Sequence, residues 1–77
     1  MMGTAVAVGK VALTVNGGRR EIPDGWSLAD LLTSLDLDPR LVVIEHNDII
    51  LRDRDSFARV FLAANDTLEI VHFVGGG

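Results

Sequence analysis

Seventy-seven residues with a formal net charge of −4 make one small domain, and the acidic balance excludes a nucleic-acid binder that works through phosphates, because that needs a basic face. The chain has no cysteine, which excludes disulfides, thiolate metal sites and a cysteine nucleophile and leaves stability to packing and hydrogen bonds. No apolar run approaches the roughly 20 residues that span a bilayer, and the N-terminus lacks a basic-then-apolar secretory signal; the expected location is cytoplasmic, with no membrane partner.

Residues 1–9 (MMGTAVAVG) are small and offer little to pack, which predicts a flexible leader or an early extension of the first strand. From Lys10 to Asn16 the pattern alternates, with Val11, Leu13 and Val15 on one face, as in a half-buried strand. Asn16-Gly17-Gly18 readily takes positive φ, and Arg19 to Ile22 follow before Pro23 stops the pairing, so the region reads as a β-hairpin. Ser27 is a strong N-cap, Asp30 stands where a capping box needs an acceptor, and Trp26 and Leu31 hold the two places of a hydrophobic staple. Leu28, Leu31, Leu32 and Leu35 then fall on one helical stripe that belongs to the core, with Asp30, Thr33 and Ser34 facing water. Asp38-Pro39 is the predicted end of that helix.

Leu41 to Glu45 is a short apolar run that predicts a central strand covered on at least part of both faces. Asn47-Asp48 turns the chain into a brief strand, Ile49 to Leu51. Arg52 to Arg59 alternates charges around one aromatic, Phe57, and reads as a solvated turn of helix. After an Asn65-Asp66 turn, Thr67 to Val74 alternates again, with Leu68, Ile70, His72 and Val74 against Thr67, Glu69, Val71 and Phe73. If Leu68 and Ile70 face the helix, Val71 and Phe73 face outward beside the end of the chain.

Hairpin, helix, strand, short strand and final strand in that order predict an α+β fold of the β-grasp type. A mixed sheet of four to five strands wraps one main helix. The domain spans residues 10–74, with the last strand in the middle of the sheet and residues 75–77 as a flexible tail. Gly75-Gly76-Gly77 has a chemical use, because residues without side chains thread a narrow channel and let a partner approach a carboxylate closely. A carboxylate is a poor electrophile until it becomes a mixed anhydride, which ATP supplies by adenylation; a sulfur nucleophile then displaces AMP and leaves a thiocarboxylate. His46 and His72 have no ligands at metal spacing, so no metal is assigned. No nucleophile elbow or phosphate loop occurs, and the chain reads as a carried reagent rather than an enzyme.

Val15-Asn16-Gly17 with Ile22-Pro23, the helix Ser27 to Leu32, Glu45-His46-Asn47 with Ile50, and Leu68 to Gly77 together resemble the ThiS-type, ubiquitin-like sulfur carriers of thiamin biosynthesis. Phe57 departs from that pattern, standing where many relatives carry tryptophan. The resemblance implies no bound cofactor and adenylation of Gly77 by a ThiF-type adenylyltransferase that uses ATP. It further implies sulfur from a cysteine desulfurase or another donor, and delivery to thiazole synthase. Gly76 and Gly77 match the family's diglycine; Gly75, Val71 and Phe73 are the expected partner-binding residues. Two alternatives share the fold: a sulfur carrier for molybdopterin synthesis, and a ubiquitin-like modifier or docking module.

Overall fold

A computed structural model of the chain describes residues 9–73. Among these residues five strands form one mixed sheet: β1 (Lys10–Val15), β2 (Gly18–Pro23), β3 (Val42–His46), β4 (Ile49–Leu51) and β5 (Thr67–His72), in the spatial order β2-β1-β5-β3-β4. The expected leader, apart from Gly9, and the expected tail with Val74 lie outside the described residues.

The first hairpin forms where expected. Asn16 and Gly17 both have positive φ, at 49° and 82°, the two-residue turn whose twist matches that of the strands. Val15 and Gly18 close the register. Asn47 and Asp48, with φ of 50° and 70°, make the same kind of turn between His46 and Ile49.

The helix α1 (Leu28–Ser34) starts on the predicted cap: the Asp30 N–H donates to Ser27 Oγ at 3.2 Å while the Ser27 N–H donates to Asp30 Oδ2 at 2.9 Å. Its end differs from the expectation. The helix stops at Ser34, ahead of Asp38-Pro39, because Asp36 takes φ 59°. The Leu37 N–H then reaches Leu32 O at 2.9 Å and the Asp36 N–H reaches Thr33 O at 3.0 Å. That pair of bonds is a Schellman motif, with an aspartate in the place glycine usually takes. Leu35 is accordingly the C-cap and only partly buried.

A 3-10 turn, Pro39–Leu41, takes up the start of the expected third strand. A second, Arg54–Arg59, is pinned to the core by Phe57, which is buried. Within β3 the burial alternates rather than covering both faces: Val42 and Ile44 are buried and Val43 is 38% exposed. One cluster fills the space between sheet and helix, with Leu28, Leu31 and Leu32 from α1 against Leu13, Ile22, Val42, Ile44, Leu68 and Ile70 from the strands. Burying each such side chain contributes about 1.5–3 kcal/mol.

β5 is the middle strand. It runs parallel to β1 through Thr14↔Thr67 and Val15↔Leu68, and antiparallel to β3 from His46↔Leu68 to Val42↔His72. The end of β5 at His72 therefore lies in the centre of the sheet.

Candidate functional site

The departure point is built by two ladders of different length. β1 ends its pairing with β5 at Leu68, yet the Asn16 side chain extends it: the Ile70 N–H donates to Asn16 Oδ1 at 2.7 Å, and Asn16 Nδ2 donates to Ile70 O at 3.1 Å. A side-chain amide thus substitutes for one more residue of strand. On the other side β3 pairs with β5 throughout, and the Phe73 N–H donates to Leu41 O at 2.7 Å, one residue beyond the strand.

Antiparallel pairing sorts the side chains by face. Val43 lies opposite Val71 and Glu45 opposite Glu69 on the side away from α1, and the Leu41–Phe73 bond continues the same row. Val71 and Phe73 are 55% and 52% exposed, so two of the three expected partner-binding residues point to solvent side by side. The row reads apolar, apolar, acidic from the chain's exit inward. Beyond β3, Ile50 lies opposite Glu45 and is also exposed.

A shallow cleft of about 150 Å³ opens between β3 and β4, lined by Val42, Val43, Ile50, Leu51, Arg52 and Arg54. That is well below the roughly 300–1,000 Å³ of small-molecule sites. Arg54 is structural, since its Nε donates to Pro39 O at 2.9 Å and its guanidinium also reaches Val42 O at 3.4 Å. Arg40 grips Asp38 through Nε and a terminal nitrogen at 3.1 and 2.7 Å. Those bonds, with the Arg40 N–H, hold the Asp38 carboxyl down at about 2 and raise the guanidinium in turn. The pair caps the turn that presents Leu41 to Phe73.

At the far end of β5 sits a polar knot that the sequence reading missed. Asp66 Oδ2 accepts from His46 Nε2 at 2.9 Å and from the Ala63 N–H at 2.9 Å, and its Oδ1 accepts from Asn47 Nδ2 at 3.1 Å. Partial burial pushes that carboxyl upward, but the bonds from His46, Ala63 and Asn47 prevail and its pKa lies below the ordinary value. Asn47 completes the knot by accepting the Thr67 N–H at 2.8 Å. His46 is thus a bonded strand residue, while His72 is exposed at the end of β5. Gly75, Gly76 and Gly77 lie outside the described residues.

The chain is 41% identical over 54 residues to the sulfur carrier protein ThiS of Bacillus subtilis, covering 70% of this chain and 80% of the relative. It is 35% identical over 63 residues to a thiazole synthase of Magnetococcus marinus, where the match takes in 82% of this chain but only 19% of that much longer protein. The crystal structure of the thiamine biosynthesis protein ThiS of Geobacter metallireducens superposes with a TM-score of 0.72 at 28% identity, covering 87% of this chain and all of that one. Since the profile of the ThiS family matches residues 13–77 as well, the chain belongs to the ThiS family.

Proposed function

We propose that the chain is a sulfur carrier protein supplying the thiazole sulfur of thiamin, with its reactive group on the carboxylate of Gly77. A ThiF-type enzyme adenylates Gly77, a sulfur nucleophile drawn from cysteine displaces AMP, and the thiocarboxylate is presented to thiazole synthase in the cytoplasm. The observation that carries the reading is the likeness to the Bacillus subtilis carrier over most of both chains. The family match that runs on to Gly77 supports the placing of the chemistry there.

On this reading the carrier needs no active site of its own. Its last strand is anchored in mid-sheet by β3 and by Asn16, so the chain beyond Phe73 starts from a fixed point. Val71 and Phe73 stand beside that point as a partner's first contact. The similarity to thiazole synthases favours thiazole formation as the destination of the sulfur over molybdopterin synthesis.

The test is charging. With ATP, a ThiF-type enzyme and a sulfur source, a thiol alkylator should mark Gly77, located by fragmentation mass spectrometry; the missing cysteine removes background. Removing Gly77 should abolish the adduct and leave the fold intact. Transfer retained without Gly77 sinks the proposal, and lysine-linked conjugates in a cell extract would favour the modifier reading.

A further inference from the structure

The residue after Asn16 is Gly17, and that neighbour exposes the asparagine to attack by its own backbone. In such a pair the nitrogen of the second residue closes on the side-chain amide carbon of the first, an approach that a Cβ on the second residue would crowd. Here the nucleophile is free. The Gly17 N–H has no acceptor among the described residues, and a Cβ added at Gly17 would meet nothing within 4 Å. The electrophile is held instead: Asn16 Oδ1 accepts the Ile70 N–H at 2.7 Å, and Nδ2 donates to Ile70 O at 3.1 Å. The other asparagines, Asn47 and Asn65, both precede aspartate, and the chain has no glutamine.

We propose that Asn16-Gly17 is a deamidation site which the two bonds to Ile70 keep from reacting, and whose reaction frees the outgoing half of β5 from β1. The Gly17 nitrogen gives its proton to a solvent base and bonds to Asn16 Cγ. The Cγ–Nδ2 bond then breaks, and Nδ2 takes up a proton from water and leaves as ammonia. Water adds to one of the two carbonyls of the resulting succinimide and opens the ring, which gives aspartate or isoaspartate at this position. Both products lose the tie. Nδ2 is the donor to Ile70 O, so ammonia loss ends that bond, and the new carboxylate sets acceptor against acceptor. Isoaspartate also adds a main-chain atom to a two-residue turn whose geometry fixes the hairpin register. Beyond Leu68 no backbone group of β1 bonds to β5 among the described residues, so β3 alone would hold the strand there. The opening that admits reaction is local, because Asn16 stands at the end of both the β1–β2 and the β1–β5 ladders.

The full chain is aged in mildly alkaline buffer without urea, in urea below the unfolding transition and in urea above it, and deamidation is located by fragmentation mass spectrometry. The unfolded chain should react at Asn16 well ahead of Asn47 and Asn65. Gly17→Ala, compared in the same unfolded state where its positive φ is no strain, should slow the reaction at Asn16 about tenfold or more. The native chain should react about tenfold or more slowly than the unfolded one, since two hydrogen bonds must open first. Urea below the transition should barely change that native rate, as for an opening that exposes little surface. Asn16→Asp, which carries one product in uniform form, should fold with Tm lower by about 4–8 °C. Equal rates in the native and unfolded chains overturn the proposal, because the tie then guards nothing. A native rate that climbs with urea as global unfolding does also overturns it, as do faster reaction at Asn47 or Asn65 and an unchanged Tm for Asn16→Asp.

Discussion

Asp66 gathers three donors from two other segments, the β3–β4 turn and the loop at Ala63, and so joins the two turns at one end of the sheet. Its pKa is lower folded than unfolded, where an aspartate titrates near 3.9. The associated stability is therefore fully present above about pH 4 and is lost as pH falls through the folded value. Asp66→Asn should cost about 1–2 kcal/mol at neutral pH, the worth of charge-assisted hydrogen bonds. It should also flatten the acid limb of stability measured by urea unfolding across pH; an unchanged limb would show that the knot carries no net charge effect. Asp38, held near 2 by Arg40 but open to solvent, titrates lower in the same limb and is screened. Asn16 is separable in the same way. Asn16→Gly keeps the positive φ and loses both bonds to Ile70, which should cost about 1–2 kcal/mol in denaturant unfolding. Asn16→Ala adds about 1 kcal/mol for a Cβ in the left-handed region. These residues escape a sequence reading for a physical reason. Ser27 and Asp30 act within one turn and announce each other, whereas Asn16 and Ile70 lie 54 residues apart and His46 and Asp66 lie 20 apart. A side chain's partner across that distance depends on strand register, which no local pattern states.

At the scale of elements, alternation and caps locate the strands and the start of α1 closely. The end of α1 is the main error: Pro39 is a strong stop signal, but Asp36 acts first, and an aspartate in the left-handed conformation leaves little trace in composition. With seven helical residues, α1 is too short to be stable alone, so its leucines hold it only by burial against the sheet. Its terminus is correspondingly open to improvement. Asp36→Gly should raise stability by about 0.5–1 kcal/mol, since glycine adopts this φ without penalty at the position where the Schellman motif favours it. A lowered midpoint in urea would mean that the aspartate's charge or side chain matters more than its backbone.

For the molecule as a whole, the order of elements is enough to predict that the last strand lies in the middle, because pairing first and last strands in parallel is what lets a hairpin and a following pair share one sheet over one helix. It cannot show that the outer row would read Leu41–Phe73, Val43–Val71, Glu45–Glu69, which needs both the β3–β5 register and the alternation of faces. That row separates folding from recognition. Ile70 is buried against α1, and Phe73, three residues on, is 52% exposed on the other side. Ile70→Asp places an unpaired carboxylate in the core and should unfold a domain whose total stability is only about 4–12 kcal/mol at its size. Phe73→Asp should change stability by about 0.5 kcal/mol or less, as surface substitutions do, while raising the KM for charging about tenfold or more through loss of an aromatic contact. Circular dichroism and thermal unfolding of both variants, run beside the charging assay, decide the matter. If Phe73→Asp unfolds the chain, the ring is part of the fold and the outer face has lost its anchor; if it folds and charges normally, partners do not read this face.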